Sequence, residues 1–247
     1  PWLAPMPEGV APLGAHWCLF PPLAAMAELG LDGHPPRLHP ISEADFPRRM
    51  WVGGELHFEA AFPVDRPIRR TTEIGAVTPK SGSSGRLMFA GLEHGYLDGA
   101  SLLCRERQDL VYRPGLQNAP AAAPEATRLA VTPAELAWEI ETSETLLFRY
   151  SALTFNAHRI HYDRDYARGM EGHPDILVHG PLQATWLLNA AAMLLGLAPA
   201  RFRYRALRPL PAGSVALVTA RIGLSGVDCH VHDALGRPTM EGKADAG

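Results

Sequence analysis

Near the middle of the chain, residues 114–133 contain GLQNAPAAAPEAT, a run rich in alanine and proline without hydrophobic periodicity. Such a segment offers no apolar face to bury and few places for a continuous backbone ladder, so it reads as a linker. It divides the 247 residues almost in half, and each half must then supply its own secondary structure around a core. At 47% hydrophobic and 20% charged residues, the chain has the means to bury one.

Before the linker, Met50 to Phe62, Ile68 to Thr78, Gly85 to Tyr96 and Ser101 to Tyr112 are strand-like, with alternating patches and Gly or Pro turns between them. Four strands in series predict an antiparallel sheet. Upstream, Pro22 to Leu31 (PLAAMAELGL) has helical composition, with Gly30 and Gly33 as stops. After the linker, Thr145 to Thr154 reads as a strand and Pro181 to Leu197 as a helix, with Pro181 in the first turn, where its missing N–H costs nothing. Strands follow at Arg201 to Leu207, Ser214 to Leu224, Asp228 to Asp233 and Thr239 to Ala244. The shared element order predicts two copies of one α+β unit, each a sheet wrapped on a helix. Their bounds are residues 1–115 and 134–247, with the linker at 116–133.

Several function classes are disfavoured at this level. A net charge of −3 provides no global field for nucleic acid or an anionic membrane, so an anionic ligand must be met by local Arg or Lys. Arg48, Arg49, Arg69, Arg70 and Arg113 are candidates for the phosphates of a nucleotide-bearing ligand, or for a solvated face. Cys18, Cys104 and Cys229 are far apart and lack CxxC spacing, so neither a disulfide framework nor a cysteine zinc site is indicated and a reducing cytoplasm fits best. The apolar run from Trp186 to Leu197 falls below the roughly 20 residues that cross a bilayer and reads as a buried helix. No secretory leader pattern stands at the start, although a chain beginning at Pro1 leaves open what precedes it.

The densest chemistry lies in FRYSALTFNAHRIHYD, residues 148–163, followed by VHGPL at 178–182. Here alternation stops and the chain turns polar. Asn156 supplies an amide, while His158 and His161 supply imidazoles able to move a proton near neutral pH. Gly180, at the start of the predicted helix, offers a free backbone N–H and a positive dipole end suited to an oxyanion. A base beside an oxyanion site is a minimal set for enolate chemistry. Other uses stay open: Asn156 can cap a turn, Arg159 can pair with Asp163 or bind substrate, and His179 can be a loop hydrogen-bond partner. Gln183 is placed to face the site from the helix. His158-x-x-His161-x-Asp163 has metal-binding residue types, but its ligand count is low and its spacing is not that of a helical HExxH pair, so no metal is assigned.

These residues resemble the MaoC-like hydratases, whose signature is approximately L-S-G-D-x-N-P-(I/L)-H-x-D-x-x-x-A. Leu153, Thr154, Phe155, Asn156, His158, Arg159, Ile160, His161, Asp163 and Ala167 fall on it in register. The family's catalytic His lands on His161 and its catalytic Asp on Asn156, while its Asn-Pro pair becomes His158-Arg159. YSALTFNAHRIHYD with HGPLQAT, and HWCLFPPLAAMAELGLDGHP, PRRMWVGGELHF and RERQDLVYR in the first half, are similar to the branch holding type-2 3-hydroxyacyl-thioester dehydratases and mesaconyl-CoA or methylfumaryl-CoA hydratases.

The resemblance implies an α+β double hot-dog fold, with the active residues in the second unit and part of the acyl and CoA tunnel in the first. It implies a hydro-lyase acting on a 2-enoyl-CoA, with a short branched dicarboxylic substrate such as mesaconyl-CoA, methylfumaryl-CoA or itaconyl-CoA. The implied site has His161, Asn156 and Gly180 as catalytic groups, and Arg159, His158, His179 and Gln183 toward substrate. The only partner called for is the acyl-CoA itself: no nucleic acid, membrane, metal or redox cofactor, and a monomeric pseudo-dimer or a homodimer. Three alternatives stay open: a fatty 3-hydroxyacyl-CoA or acyl-carrier-protein dehydratase, a non-catalytic acyl-thioester binding protein with Asn156 as a degenerate Asp, and a thioesterase.

Overall fold

The structure, a computed structural model, describes residues 3–82, 85–115 and 128–245. The core of the predicted linker, 116–127, lies outside them. Four strands come first: β1 Arg48–Phe58, β2 Ile68–Gly82, β3 Gly85–Asp98 and β4 Ser101–Arg113. After the linker follow β5 Leu136–Glu141, α1 Glu144–Thr154, α2 Arg164–Gly169, α3 Gly180–Leu195, β6 Arg201–Ala206, β7 Val215–Gly223, β8 Gly226–His232 and β9 Pro238–Asp245. All nine strands form one sheet in the order β2-β3-β4-β1-β6-β9-β8-β7-β5, antiparallel throughout.

The second half holds the central helix. Pro181 stands in the first turn of α3, and Gly196, in the left-handed region at φ 73°, ends it. Leu182, Ala184, Trp186, Leu187, Leu188, Ala190 and Ala191 are buried on α3, and the helix packs on β7, β8 and β9. Those strands present Ala216, Val218, Ala220, Val227, Cys229, Val231 and Met240, all fully or nearly fully buried, at the alternate positions that share one sheet face. Asn189, the polar break in the apolar run, accepts from Ala4 N (3.0 Å) and donates to Leu13 O (3.1 Å) and Thr185 O (2.8 Å), so it ties the N-terminal segment to the helix.

Two sequence expectations are corrected, and one strand went unpredicted. Pro22 to Leu31 is no helix: the segment holds only a single 3-10 turn at Met26–Glu28, and another turn lies at Ala15–Cys18. Leu23, Met26 and Leu31 are 81%, 84% and 86% exposed, so composition favourable to a helix met no surface on which to bury an apolar face. The first unit is instead filled by Leu13, His16, Trp17 and Phe20, which pack around Phe58, Phe62 and Tyr96. Glu106, fully buried beneath them, accepts from Trp17 Nε1 (2.7 Å), Tyr96 Oη (2.6 Å) and Gln108 Nε2 (2.8 Å). The predicted strand Thr145 to Thr154 is helix α1. Its start was legible in Ser143, whose Oγ accepts from Leu146 N, and its buried face is the i,i+3 pair Leu147 and Tyr150. Strand β5, whose alternating LAWEIE buries Ile140, was not predicted.

The half-sheets meet where β1 pairs with β6, Gly54 opposite Tyr204 and Leu56 opposite Phe202. A Cβ on Gly54 would lie 2.2 Å from Arg107 O and 2.3 Å from Tyr204 Oη, so only glycine fits at this joint. Gly54→Ala is expected to cost roughly 1–3 kcal/mol by overpacking. The melting temperature should fall about 2–4 °C for each kcal/mol, with Gly169→Ala, whose Cβ meets open space, as the unaffected control. Equal melting temperatures for the two variants would refute the tight joint.

Candidate active site

The chain between α1 and α3 builds the site by local steps. Phe155, at φ 51° in the left-handed region, stops α1 and turns the backbone. Asn156 Oδ1 then accepts from His158 N at 3.0 Å, an Asx turn that leads into a single 3-10 turn at Arg159–His161. Leu177 N donates to Ile160 O, which brings the segment before α3 alongside this turn.

His161 is buried, and its Nδ1 lies 2.8 Å from Leu177 O. A carbonyl only accepts, so Nδ1 carries the proton and Nε2 is left as the basic nitrogen. Burial, then the neighbouring His179 and His158, holds the ring neutral with a pKa well below the ordinary value. His179, fully buried just before α3, stacks on His161 with centroids 3.6 Å apart, and its Nε2 lies 2.8 Å from Ser151 Oγ on α1. Burial drives the pKa of His179 down to about 3. Gly180 stands next in the chain, with a first-turn N–H that has no helical partner. The ring of Trp51 on β1 closes over it: a Cβ there would lie 2.6 Å from Trp51 Cε3.

The other predicted residues are placed as follows. His158 is buried with its ring 5.5 Å from that of His161, and its Nε2 lies 3.5 Å from Glu171 Oε1, an ion-pair distance without hydrogen-bond alignment. Asn156 takes the turn-capping use for its oxygen. Arg159 pairs with Asp163 at 2.6 Å, lies over Tyr166 and donates to Leu31 O, so its guanidinium is occupied. Gln183 Oε1 accepts from Thr239 Oγ1 at 2.8 Å, on the buried side of α3 toward β9.

Sequence reasoning missed Asp32, His34 and Glu171. Gly33, read as a helix stop, has φ 86° and its backbone lies against the loop at Ala157; a Cβ there would be 2.0 Å from Ala157 O. Arg159 N donates to Asp32 O at 2.8 Å, and His34 lies 4.0 Å from His158 ring to ring, with its Nδ1 2.9 Å from Asp32 Oδ2. The signal was the pair Asp32 and His34 around a glycine, next to a predicted boundary. Asp32, His34 and His158 each offer a ligand atom within 4.8 Å of the others, a set that fits a divalent cation in residue type, although Asp32 and His34 already bond to each other. Glu171, buried, accepts from Arg48 Nε at 3.2 Å while Arg48 Nη2 donates to its carbonyl. Burial raises its pKa, but His158 and Arg48 outweigh that and hold it below the usual range.

The family described as "Hydroxyacyl-thioester dehydratase type 2" matches residues 14–212. The chain belongs to that family. A mesaconyl-C(4)-CoA hydratase of Chloroflexus aurantiacus is 39% identical over 208 residues, which cover 84% of this chain and 73% of the relative. Among solved structures, HtdX of Mycobacterium tuberculosis superposes with a TM-score of 0.64 at 13% identity, covering 81% of this chain and 77% of that one. A second Mycobacterium tuberculosis protein, described as having a double hotdog fold, gives 0.51 at 15% identity, over 79% and 74% of the two chains. The fold is therefore the α+β double hot-dog, with the first unit's helix replaced by the N-terminal segment. Membership makes this chain a hydro-lyase of the hydratase/dehydratase class on acyl thioesters. Among the described residues no helix is long and apolar enough to cross a membrane.

The buried imidazoles set a pH dependence. His16 and His173 are held down to about 4, His34 and His179 to about 3, each chiefly by burial, and His161 follows them. Their folded pKa values lie below the ordinary value of 6.5, so below that pH the unfolded chain binds more protons and folding stability falls as pH falls. Stability is fully present above about pH 6.5 and drops by up to about 1.4 kcal/mol per pH unit for each histidine kept neutral. Urea unfolding at pH 7.5 and pH 5 should show a midpoint clearly lower at pH 5, and equal midpoints would rule this out.

Proposed function

We propose that this chain adds water across a short, branched 2-enoyl-CoA that carries a free carboxylate, a substrate of the mesaconyl-CoA type. The observation that carries the reading is His161, held neutral with Nδ1 on the Leu177 carbonyl and Nε2 free, beside the start of α3. The 39% identity to a protein named for mesaconyl-C(4)-CoA hydration, maintained over most of both chains, supports the acyl class.

In this scheme His161 Nε2 takes a proton from water as its oxygen bonds to Cβ. The electron pair of the double bond moves to the thioester, and the oxygen that gains charge accepts from the Gly180 N–H at the positive end of α3. His161 then returns a proton to Cα, and dehydration is the same path reversed. Asn156, with its oxygen used in the turn, keeps its NH2 to hold the water. His179 backs His161 by stacking, fixed in turn by Ser151. The chemistry so drawn uses side chains, one backbone N–H and water, and calls for no metal or redox cofactor.

A second reading is dehydration of a fatty 3-hydroxyacyl thioester, and the family description, which names a hydroxyacyl-thioester dehydratase, favours its direction of reaction. The two separate on substrate. Loss of enoyl-thioester absorbance should be followed with mesaconyl-, itaconyl-, crotonyl- and longer enoyl-CoA. Turnover is expected with the carboxylated short chains, and His161→Ala should lower kcat by about 100- to 10,000-fold. Turnover confined to long apolar chains would move the assignment to fatty-acid dehydration. Unchanged turnover in His161→Ala would remove the histidine from the mechanism.

A further inference from the structure

We infer that Arg49 is the specificity residue that receives the free carboxylate of the acyl group, an inference that rests on the dicarboxylic reading above. Alternation along β1 puts Arg49 and Trp51 on one face of the strand, because the β-bulge comes only after Trp51. Trp51 on that face covers Gly180, so Arg49 faces the same volume two residues farther from the sheet joint. A carboxylate buried there needs a cation, since an unpaired charge removed from water is far too costly.

The other guanidiniums around this volume are committed. Arg48, on the opposite face of β1, is tied to Glu171 at 3.2 Å and to its carbonyl. Arg37 donates to Ser42 O and Pro47 O and lies over Tyr112. Arg159 is paired with Asp163. Arg113 lies across from Arg48 and reaches the Met50 sulfur, on the far face from Trp51. Half-buried Arg49 has no carboxylate or carbonyl partner among the described residues, so it alone keeps its planar fork for a ligand.

The surroundings fit an acyl end better than a CoA end. Arg49 acts electrostatically on His34, second only to burial in keeping that ring neutral. His34 lies tilted against His158, with centroids 4.0 Å apart, and His158 lies next to His161. Arg49 thus belongs with the His34 end of the row of rings, opposite the His179–Gly180 end, and that end is where the distal group of a four-carbon acyl chain is placed in this reading.

Binding can test this without turnover. Succinyl-CoA and butyryl-CoA are saturated thioesters of equal chain length that differ in a terminal carboxylate or methyl. Their Kd values would be measured by calorimetry on wild type, Arg49→Gln and Arg49→Lys. Wild type is expected to prefer succinyl-CoA, and Arg49→Gln should erase roughly 10- to 100-fold of that preference. Arg49→Lys, which keeps the charge and loses the fork, should fall between. Equal weakening of both ligands would mean that Arg49 holds the CoA phosphates, and would overturn the inference. So would a wild type without preference, or a preference untouched in both variants. The hydratase reading is judged separately by turnover and His161→Ala, so either claim can fail alone.

Discussion

The antiparallel pairing of β1 with β6 is the contact on which the rest of this molecule depends. It is the only seam in the described sheet between strands from opposite sides of the linker, and it carries Trp51 onto Gly180. Two features let it close. Gly54 brings the Tyr204 hydroxyl and the β4 backbone closer than any side chain would permit, and Tyr204 stacks on Trp51 at 4.7 Å. A second tie, from Asp32 and Leu31 to Arg159, docks the N-terminal segment on the loop that carries Asn156, His158 and His161. The site is thus a product of both units, although His161 and Gly180 lie in one.

Burial does most of the chemical tuning. Four aromatic nitrogen rings, His34, His158, His161 and His179, form a chain of ring contacts of 4.0, 5.5 and 3.6 Å. Removed from water, and with imidazoles packed against them, His34, His161 and His179 are held neutral, and His161 keeps a lone pair on Nε2. Countercharges lie at the periphery: Asp32 bonds to His34, and Glu171 stands by His158. The absence of a carboxylate at position 156 is consistent with this arrangement, because a neutral histidine base needs orientation more than a second charge, and the Leu177 carbonyl supplies orientation.

What could be read from the sequence follows how local each signal was. Eight of the nine strands were read from alternation or β-rich composition in their own residues, the six-residue LAWEIE of β5 being the one missed, and α3 declared itself through Pro181 and a long apolar run. The misread segments are those where composition and context conflict. PLAAMAELGL has helix formers but no partner surface, while TLLFRYSALT has aromatic and branched residues but also a Ser143 cap, which decided the matter. His161 and Gly180 were legible because spacing along one loop sets them. Asp32, His34, Trp51 and Glu171 were not, since they reach the site only through sheet pairing and loop docking across a long stretch of chain.

The central claim, that His161 is a neutral base with its proton on Nδ1, can be examined without substrate. Two-bond 1H–15N correlation spectra of histidine-labelled protein at pH 6 to 8, with His161→Gln used for assignment, would show the state of each ring nitrogen. The structure predicts a His161 Nδ1 that is protonated and an Nε2 that is not, unchanged over that range. A ring that titrates near pH 6.5, or one with its proton on Nε2, would contradict the account.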